Sequence, residues 1–135
     1  MASLNPITGL LGVRRAAHLL RRCSFHYTRS RVDALAAMTP TEALADLLAP
    51  RPLQLEQPVY GASAVTWINP AQGPGATLPG DDDTLTRYVM GWWVHEALKD
   101  TGAGHKMEFF LHQFLAVDGD SGSSSQFFDY LQLLR

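Results

Sequence analysis

Three side chains that can bind a metal ion or transfer a proton, His105, Glu108 and His112, lie in the segment HKMEFFLHQF. Imidazole and carboxylate groups are common ligands of Zn²⁺ and common general acids and bases. On a helix, Glu108 and His112 are four residues apart and therefore lie one turn apart on the same face. His105 is seven residues from His112, roughly 10 Å along a helix axis, which is awkward for three ligands of one ion. The spacing predicts no metal site and leaves Glu108 and His112 as weak candidate ligands.

The same segment carries an apolar stripe on the opposite side of the predicted helix. At 100° per residue, the polar side chains share an arc of about 60° and the apolar ones lie across from it. We therefore expect His105, Glu108 and His112 to form a polar face that is solvated or faces a partner. The stripe consists of Met107, Phe110, Leu111 and Phe114.

The loop that follows, Asp118-Gly119-Asp120-Ser121-Gly122, resembles the start of a calcium-binding loop. The sixth position is Ser123, where the sharp turn needs Gly, and the twelfth is Asp129, where a bidentate Glu is needed. The pattern favours a polar turn followed by a serine helix cap.

Glu96 lies on the apolar stripe Leu85, Val89 and Trp92 of another predicted helix. A carboxylate at this position can form an ion pair, can act as a general acid or base with a raised pKa, or can lie exposed at the end of the helix. Glu96 and His112 are thus weak catalytic candidates. Because the sequence has no Gly-x-Ser-x-Gly, no glycine-rich phosphate loop and no supported Cys/His pair, it contains no self-contained catalytic constellation, and no cofactor is expected.

The charge distribution is uneven along the chain. Residues 1–31 contain six arginines and no acid, a balance of +6, whereas the rest has five basic and thirteen acidic side chains, a balance of −8. The first helix can use its arginines to bind an anion or to pair with acids of the same protein, and we favour the pairing. The acidic remainder and the lack of a recognition module argue against nucleic acid. The arginines of this face are Arg14, Arg15, Arg21 and Arg22.

Hydrophobic periodicity predicts about six helices and no convincing strand, an all-α fold. Thr39-Pro40-Thr41-Glu42 is a capping box with proline at the first helical position. Residues 49–80 form a long irregular Pro/Gly-rich central loop, in which Trp67 and Ile68 are expected to dock on the core. The predicted helices cover residues 10–23, 29–38, 40 to about 48, 83 to about 100, 103–117, and about 124 to Arg135. Asp81, Asp82 and Asp83 stand at the start of the fourth helix.

The chain has 135 residues, is 46% hydrophobic and contains one cysteine, Cys23, so it fits a single helical region over residues 1–135 without an internal disulfide. Cys23 is expected to be a small buried apolar residue. No apolar run approaches the roughly 20 residues of a membrane span, and no signal peptide is apparent, so the chain as written is expected to be cytoplasmic unless an export signal was removed. No Gly, Asn or Pro ends the last helix, so we expect an incomplete part of a larger helical protein.

Several segments together resemble one protein family. GLLGVRRAAHLLRRCSF, TPTEALADLL, GWWVHEALKD, HKMEFFLHQFLAVDGDSGSSS and FFDYLQLLR are similar, in this order and spacing, to the amino-terminal part of the bacterial family called domain of unknown function 1800. The resemblance implies a mainly helical protein several times longer, often exported, whose activity is not established. Family members continue into an Asn-Glu-Asn and Ala-Arg-Glu block that this chain lacks, commonly carry an acid where this chain has His105, and often have a second histidine near the position of Phe114.

Two functions follow as expectations. The first is a structural or interaction module that packs against a carboxy-terminal part, so that its partner is the remainder of the same protein or another protein chain. The second is a fragment of an enzyme whose polar site is completed by residues further downstream.

Overall fold

The computed structural model describes residues 7–49, 56–61, 65–68, 78–115 and 122–135. These residues form six α-helices and no sheet, apart from one isolated antiparallel bridge between Tyr60 and Val65. The predicted all-α class is therefore confirmed. The helices are α1 (Gly12–Cys23), α2 (Arg29–Ala36), α3 (Pro40–Leu47), α4 (Asp82–Lys99), α5 (Gly104–Phe114) and α6 (Ser124–Leu133).

Side-chain caps fix the starts of three helices. The Thr28 hydroxyl accepts a hydrogen bond from the Arg31 amide at the start of α2. At α3, Thr39 and Glu42 form the reciprocal capping box that the sequence predicted, with Pro40 at the first helical position. Ser123 and Gln126 form a second capping box at α6. Each box satisfies amide groups that have no partner within the helix.

Some helix ends differ from the prediction. Helix α1 begins at Gly12 because Gly9 and Gly12 both adopt positive φ, +86° and +74°, a conformation that glycine tolerates and that bends the chain. Helix α5 ends at Phe114 and α6 at Leu133, shorter than the predicted runs to residues 117 and 135. The predicted polar turn Asp118-Gly119-Asp120-Ser121-Gly122 lies outside the described part of the chain except for Gly122.

The chain divides into two compact units, the first formed by Met1–Arg51 and Ala97–Lys106. Its core lies between α1, α2 and α3, with partly buried Cys23 packed against it. The thiol is thus an apolar packing group, and burial raises its pKa. The buried residues of this first cluster are Leu11, Ala16, Leu20, Val32, Leu35, Ala43 and Leu47.

Hydrogen bonds join the elements of the first unit. The Leu11 amide donates to the carbonyl of Met38 at 2.8 Å, and the Ala103 amide donates to the carbonyl of Leu47 at 2.9 Å. Arg31 on α2 pairs with Asp46 on α3 and donates to the Thr101 carbonyl at 3.0 Å. One guanidinium therefore connects two helices and the segment between α4 and α5.

The second unit comprises Pro52–Glu96 and Met107–Arg135. Its core is rich in aromatic residues, and Trp67 and Ile68 lie within it, so the predicted docking of the central loop is confirmed. The Trp92 indole also donates to the Glu56 carbonyl at 2.7 Å. The buried residues of this second cluster are Trp67, Ile68, Leu85, Val89, Trp93, Phe127, Phe128 and Leu131.

The expected solvation of the polar face of α5 is wrong for His105 and Glu108, whereas His112 is half-buried. His105 and Glu108 are 1% and 2% exposed, whereas Met107, Phe110 and Phe114 are 53%, 53% and 71% exposed. Periodicity separates the two faces but does not say which one is covered, and here hydrogen bonds to buried donors and acceptors compensate the burial of the polar face. We call Met107, Phe110 and Phe114 the α5 apolar stripe.

Candidate functional site

Helix α5 carries most of the side chains that the sequence singled out for chemistry. Glu108 accepts a hydrogen bond from the Trp93 indole, with 2.6 Å between Nε1 and Oε1. The Trp93 and Phe109 rings stack with centroids 6.0 Å apart. The Glu108 carboxylate is thus held by an indole donor in a largely aromatic environment, an arrangement that orients it and shields it from water.

His112 forms a hydrogen bond that fixes its tautomer. Its Nδ1 lies 3.0 Å from the Tyr130 hydroxyl, and that hydroxyl donates its only proton to the Leu115 carbonyl at 2.7 Å. Tyr130 must therefore accept a proton from His112, which places the imidazole proton on Nδ1. A neutral His112 keeps the lone pair on Nε2, and Nε2 makes no hydrogen bond with the described residues. A histidine oriented in this way can accept a proton or bind a metal ion through Nε2.

Among the described residues, no third side chain joins Glu108 and His112 as a metal ligand. Within the described ranges, no group of three His, Cys, Asp or Glu side chains is placed to hold an ion. Glu108 accepts from Trp93, and His112 donates to Tyr130. Two groups with these partners fall short of the four ligands of a structural zinc site.

His105, expected on a solvated or partner-facing side, belongs instead to a buried acid–imidazole pair. Its Nδ1 lies 3.1 Å from Asp100 Oδ2, and the two side chains are 2% and 4% exposed. The same carboxylate accepts from the His105 amide at 2.9 Å and the Gly102 amide at 2.8 Å. Burial alone would raise the pKa of Asp100, but these hydrogen bonds outweigh it and hold the pKa well below its usual range.

Asp100 was not recognised from the sequence. The available signal was an aspartate two residues before a glycine and four before the first residue of a helix, a spacing typical of an Asx turn that leads into a helix. Its negative charge also lies at the amino end of α5, which the helix dipole favours. The arrangement chiefly fixes the start of α5.

A second polar cluster, also unrecognised, holds the start of α6. The Trp67 indole donates to Ser124 Oγ at 2.9 Å, and Ser124 Oγ donates to Asp82 Oδ1 at 2.6 Å. The Ser124 amide also donates to Asp82 at 3.1 Å. Ser124 is completely buried, so this Asp–Ser contact stabilises the fold and offers no accessible nucleophile.

The arginines of α1 are exposed. Arg21 donates through Nε to the Tyr27 hydroxyl at 3.1 Å. Arg14, Arg15 and Arg22 form no ion pair with any described residue. Within the described part of the chain, no arginine of α1 therefore pairs with an acid, and the ion pairs of the basic amino-terminal stretch belong to α2, where Arg29 pairs with Asp33 and Arg31 with Asp46.

Glu96 is half-buried on α4. The hydrogen bond of His112 is made to Tyr130 and not to Glu96, so the two weak catalytic candidates do not form a hydrogen-bonded pair.

None of the helices among the described residues is both long and apolar enough to cross a membrane. Comparison with protein-family models, with curated proteins and with solved structures finds no match.

Proposed function

We propose that this chain is an interaction module that packs a partner against the α5 apolar stripe, the partner being the remainder of a longer protein or another protein chain. The observation that carries the proposal is the burial pattern of α5, in which Met107, Phe110 and Phe114 are more than half exposed while the polar side chains of His105 and Glu108 are buried. Three large apolar side chains on successive turns of one helix are what a hydrophobic docking surface presents.

The ring contacts of the stripe strengthen the proposal. Phe110 and Phe114 lie with their centroids 4.8 Å apart, so they form one continuous aromatic patch. Aromatic residues and methionine are enriched at the cores of protein interfaces because they bury a large apolar area. On α6, Leu133 is also strongly exposed, at 83%.

The test is site-specific photo-crosslinking in the source cell with a benzophenone amino acid at position 110. A second probe at Asp33, an exposed polar position on α2, serves as the control. We expect position 110 to crosslink to one partner segment and position 33 not to do so. The crosslinked partner is then purified, and its dissociation constant is measured for the wild type and for Phe110→Ser/Phe114→Ser.

Loss of two central aromatic anchors should weaken binding by roughly 30-fold or more, because truncation of each hot-spot residue costs more than about 1 kcal/mol. The free chain should remain folded, since both rings already contact water. Equal crosslinking at both positions, or an unchanged dissociation constant, would contradict the proposal.

The resemblance of several segments to the domain of unknown function 1800 family supports a related proposal about the partner, namely that it is the carboxy-terminal part of such a protein. An isolated carboxy-terminal fragment of a family member containing the Asn-Glu-Asn block should then bind the wild type and not Phe110→Ser/Phe114→Ser. Equal binding of both, or of neither, would count against this assignment.

A second candidate function, a fragment of an enzyme, is favoured by His112 alone. Its neutral imidazole is oriented through Nδ1 and keeps Nε2 for proton transfer. We expect diethyl pyrocarbonate to modify Nε2 of His112 at a rate comparable to that of exposed His26. A His112 that resists modification would remove this candidate.

A further inference from the structure

The first unit carries a groove that the proposed interaction module does not use. It has a volume of about 690 Å³ and lies where the bend at Gly9 and Gly12 places Ile7 beside the first two turns of α1. The hydrogen bond from the Leu11 amide to the Met38 carbonyl anchors this bend to the core. The α1 groove is lined by Ile7, Leu11, Gly12, Val13, Arg14, Arg15, His18 and Leu19.

Part of the groove lining is apolar. Leu11 is buried and belongs to the first cluster, and Leu19 packs against that cluster, so contacts with the core fix the positions of both side chains. Ile7 and Val13 are 45% and 48% exposed, although they are large and apolar. An apolar ligand segment would remove these side chains from water without any rearrangement of the core.

The rest of the lining is cationic. Arg14, Arg15 and His18 are exposed and make no hydrogen bond or ion pair with the described residues. The sequence has no acid from residue 1 to residue 31, so every charged side chain on the segment that lines the groove is cationic. Guanidinium groups pair well with carboxylates and phosphates because they present two parallel N–H donors.

We propose that the α1 groove binds a small anionic amphiphile, with its apolar chain against Ile7, Leu11 and Leu19 and its carboxylate or phosphate on Arg14 and Arg15. The size of the groove favours a small molecule. Its volume lies in the range of about 300–1,000 Å³ typical of small-molecule sites. Residues 12–19 cover only roughly 12 Å of helix axis, whereas a stable protein interface needs about 20–30 residues a side.

The experiment is an NMR titration of the ¹⁵N-labelled chain with three probes below their micelle concentrations. Decanoate has both the chain and the charge, acetate has the charge alone, and decyl maltoside has the chain with a neutral head. We expect saturable shifts of amides 7–19 with decanoate, and binding of the other two that is weaker by roughly tenfold or more.

The matched variants are Arg14→Gln/Arg15→Gln and Arg22→Gln. Arg22 is an exposed arginine of the same helix that does not line the groove. Because the double variant loses two exposed charged contacts, it should bind decanoate roughly five- to twentyfold more weakly. Arg22→Gln should change the affinity by less than about twofold, and circular dichroism should show that both variants are folded.

Three outcomes would overturn the proposal. The first is equal binding of decyl maltoside and decanoate, and the second is an equal loss of affinity in Arg22→Gln. The third is co-sedimentation with vesicles of anionic phospholipid without binding of monomeric decanoate, which would assign the surface to a bilayer. Intact decanoate binding by Phe110→Ser/Phe114→Ser would show that this site is independent of the proposed interaction module.

Discussion

At the scale of single residues, Asp100 shows how a buried carboxylate stays ionised. It accepts hydrogen bonds from the Gly102 amide and from both the amide and the ring of His105. These donors stabilise the charged form, which is why the pKa is lowered although the side chain is buried. A lowered folded-state pKa makes the ionised group a source of stability above its ordinary pKa.

Asp100→Asn should lower the free energy of unfolding at pH 7 by about 1–3 kcal/mol, because charge-assisted hydrogen bonds are replaced by neutral ones. The difference between variant and wild type should shrink as the pH falls below the ordinary value of 3.8 toward the lower folded-state pKa, because the unfolded wild type takes up a proton in this range while folded Asp100 stays ionised. Urea unfolding over a series of acidic pH values measures both effects.

The matched control is Asp33→Asn, which removes one partner of the exposed Arg29–Asp33 pair on α2. An exposed pair four residues apart contributes only about 0.3–0.5 kcal/mol, so this variant should be nearly neutral. Equal losses in the two variants, or a gap that is constant with pH, would mean that the Asp100 pair is not a source of stability.

The tautomer of His112 gives a second prediction at this scale. In alkaline solution, ¹⁵N NMR should show the proton of His112 on Nδ1, because the Tyr130 hydroxyl accepts from it and donates to Leu115. Tyr130→Phe should move the proton predominantly to Nε2 and cost about 1 kcal/mol of stability. His26, which is exposed, provides the reference spectrum within the same sample. An unchanged tautomer in the variant would refute the role assigned to Tyr130.

At the scale of elements, α5 reverses the usual effect of substitutions on an amphipathic helix. Its buried side relies on the hydrogen bond between Trp93 and Glu108, whereas its apolar side chains remain half or more exposed. Removal of a polar residue should therefore cost more stability than removal of an apolar one. This order is a direct test of the orientation of the helix.

Glu108→Ala should lower the free energy of unfolding by about 2–4 kcal/mol, because it leaves the buried Trp93 indole without this acceptor and opens a cavity. Met107→Ala, the neighbouring control on the exposed side, should cost less than about 1 kcal/mol. Chemical unfolding of the two variants under the same conditions gives the comparison. A larger loss in Met107→Ala would mean that α5 is rotated relative to the arrangement described above.

At the scale of the whole molecule, the chain contains two compact units, each with its own buried cluster. The three tryptophans, Trp67, Trp92 and Trp93, belong to the second unit. Far-UV circular dichroism reports helices of both units, whereas tryptophan fluorescence reports the second unit alone. The two probes can therefore separate the stabilities of the units.

Leu20→Ala, a completely buried position of the first cluster, should destabilise the first unit by about 2–5 kcal/mol. We expect the dichroism transition of this variant to move to lower urea concentration while the fluorescence midpoint moves less. Leu131→Ala, in the second cluster, should shift the fluorescence midpoint more strongly. Equal shifts of both probes in both variants would instead mean that the chain unfolds as one cooperative body.

The sequence was sufficient for the features that depend on neighbouring residues. The helical class follows from periodicity, and the capping box at Thr39 and Glu42 follows from residues three apart whose chemistry is local. The docking of Trp67 could also be predicted, because such a large apolar side chain is costly to leave in water. Each of these inferences needs only a few adjacent positions or the size of one side chain.

Only the tertiary structure decided the features that depend on distant partners. Helix α5 has two well-separated faces, and which of them is buried depends on Trp93 and the other groups that surround it. The same holds for Ser124, whose partners Trp67 and Asp82 are 57 and 42 residues away in the chain. Periodicity determines that a helix has a polar and an apolar face. The free energy of burying either face depends on the residues that pack against it, and these residues come from segments that are distant in the sequence.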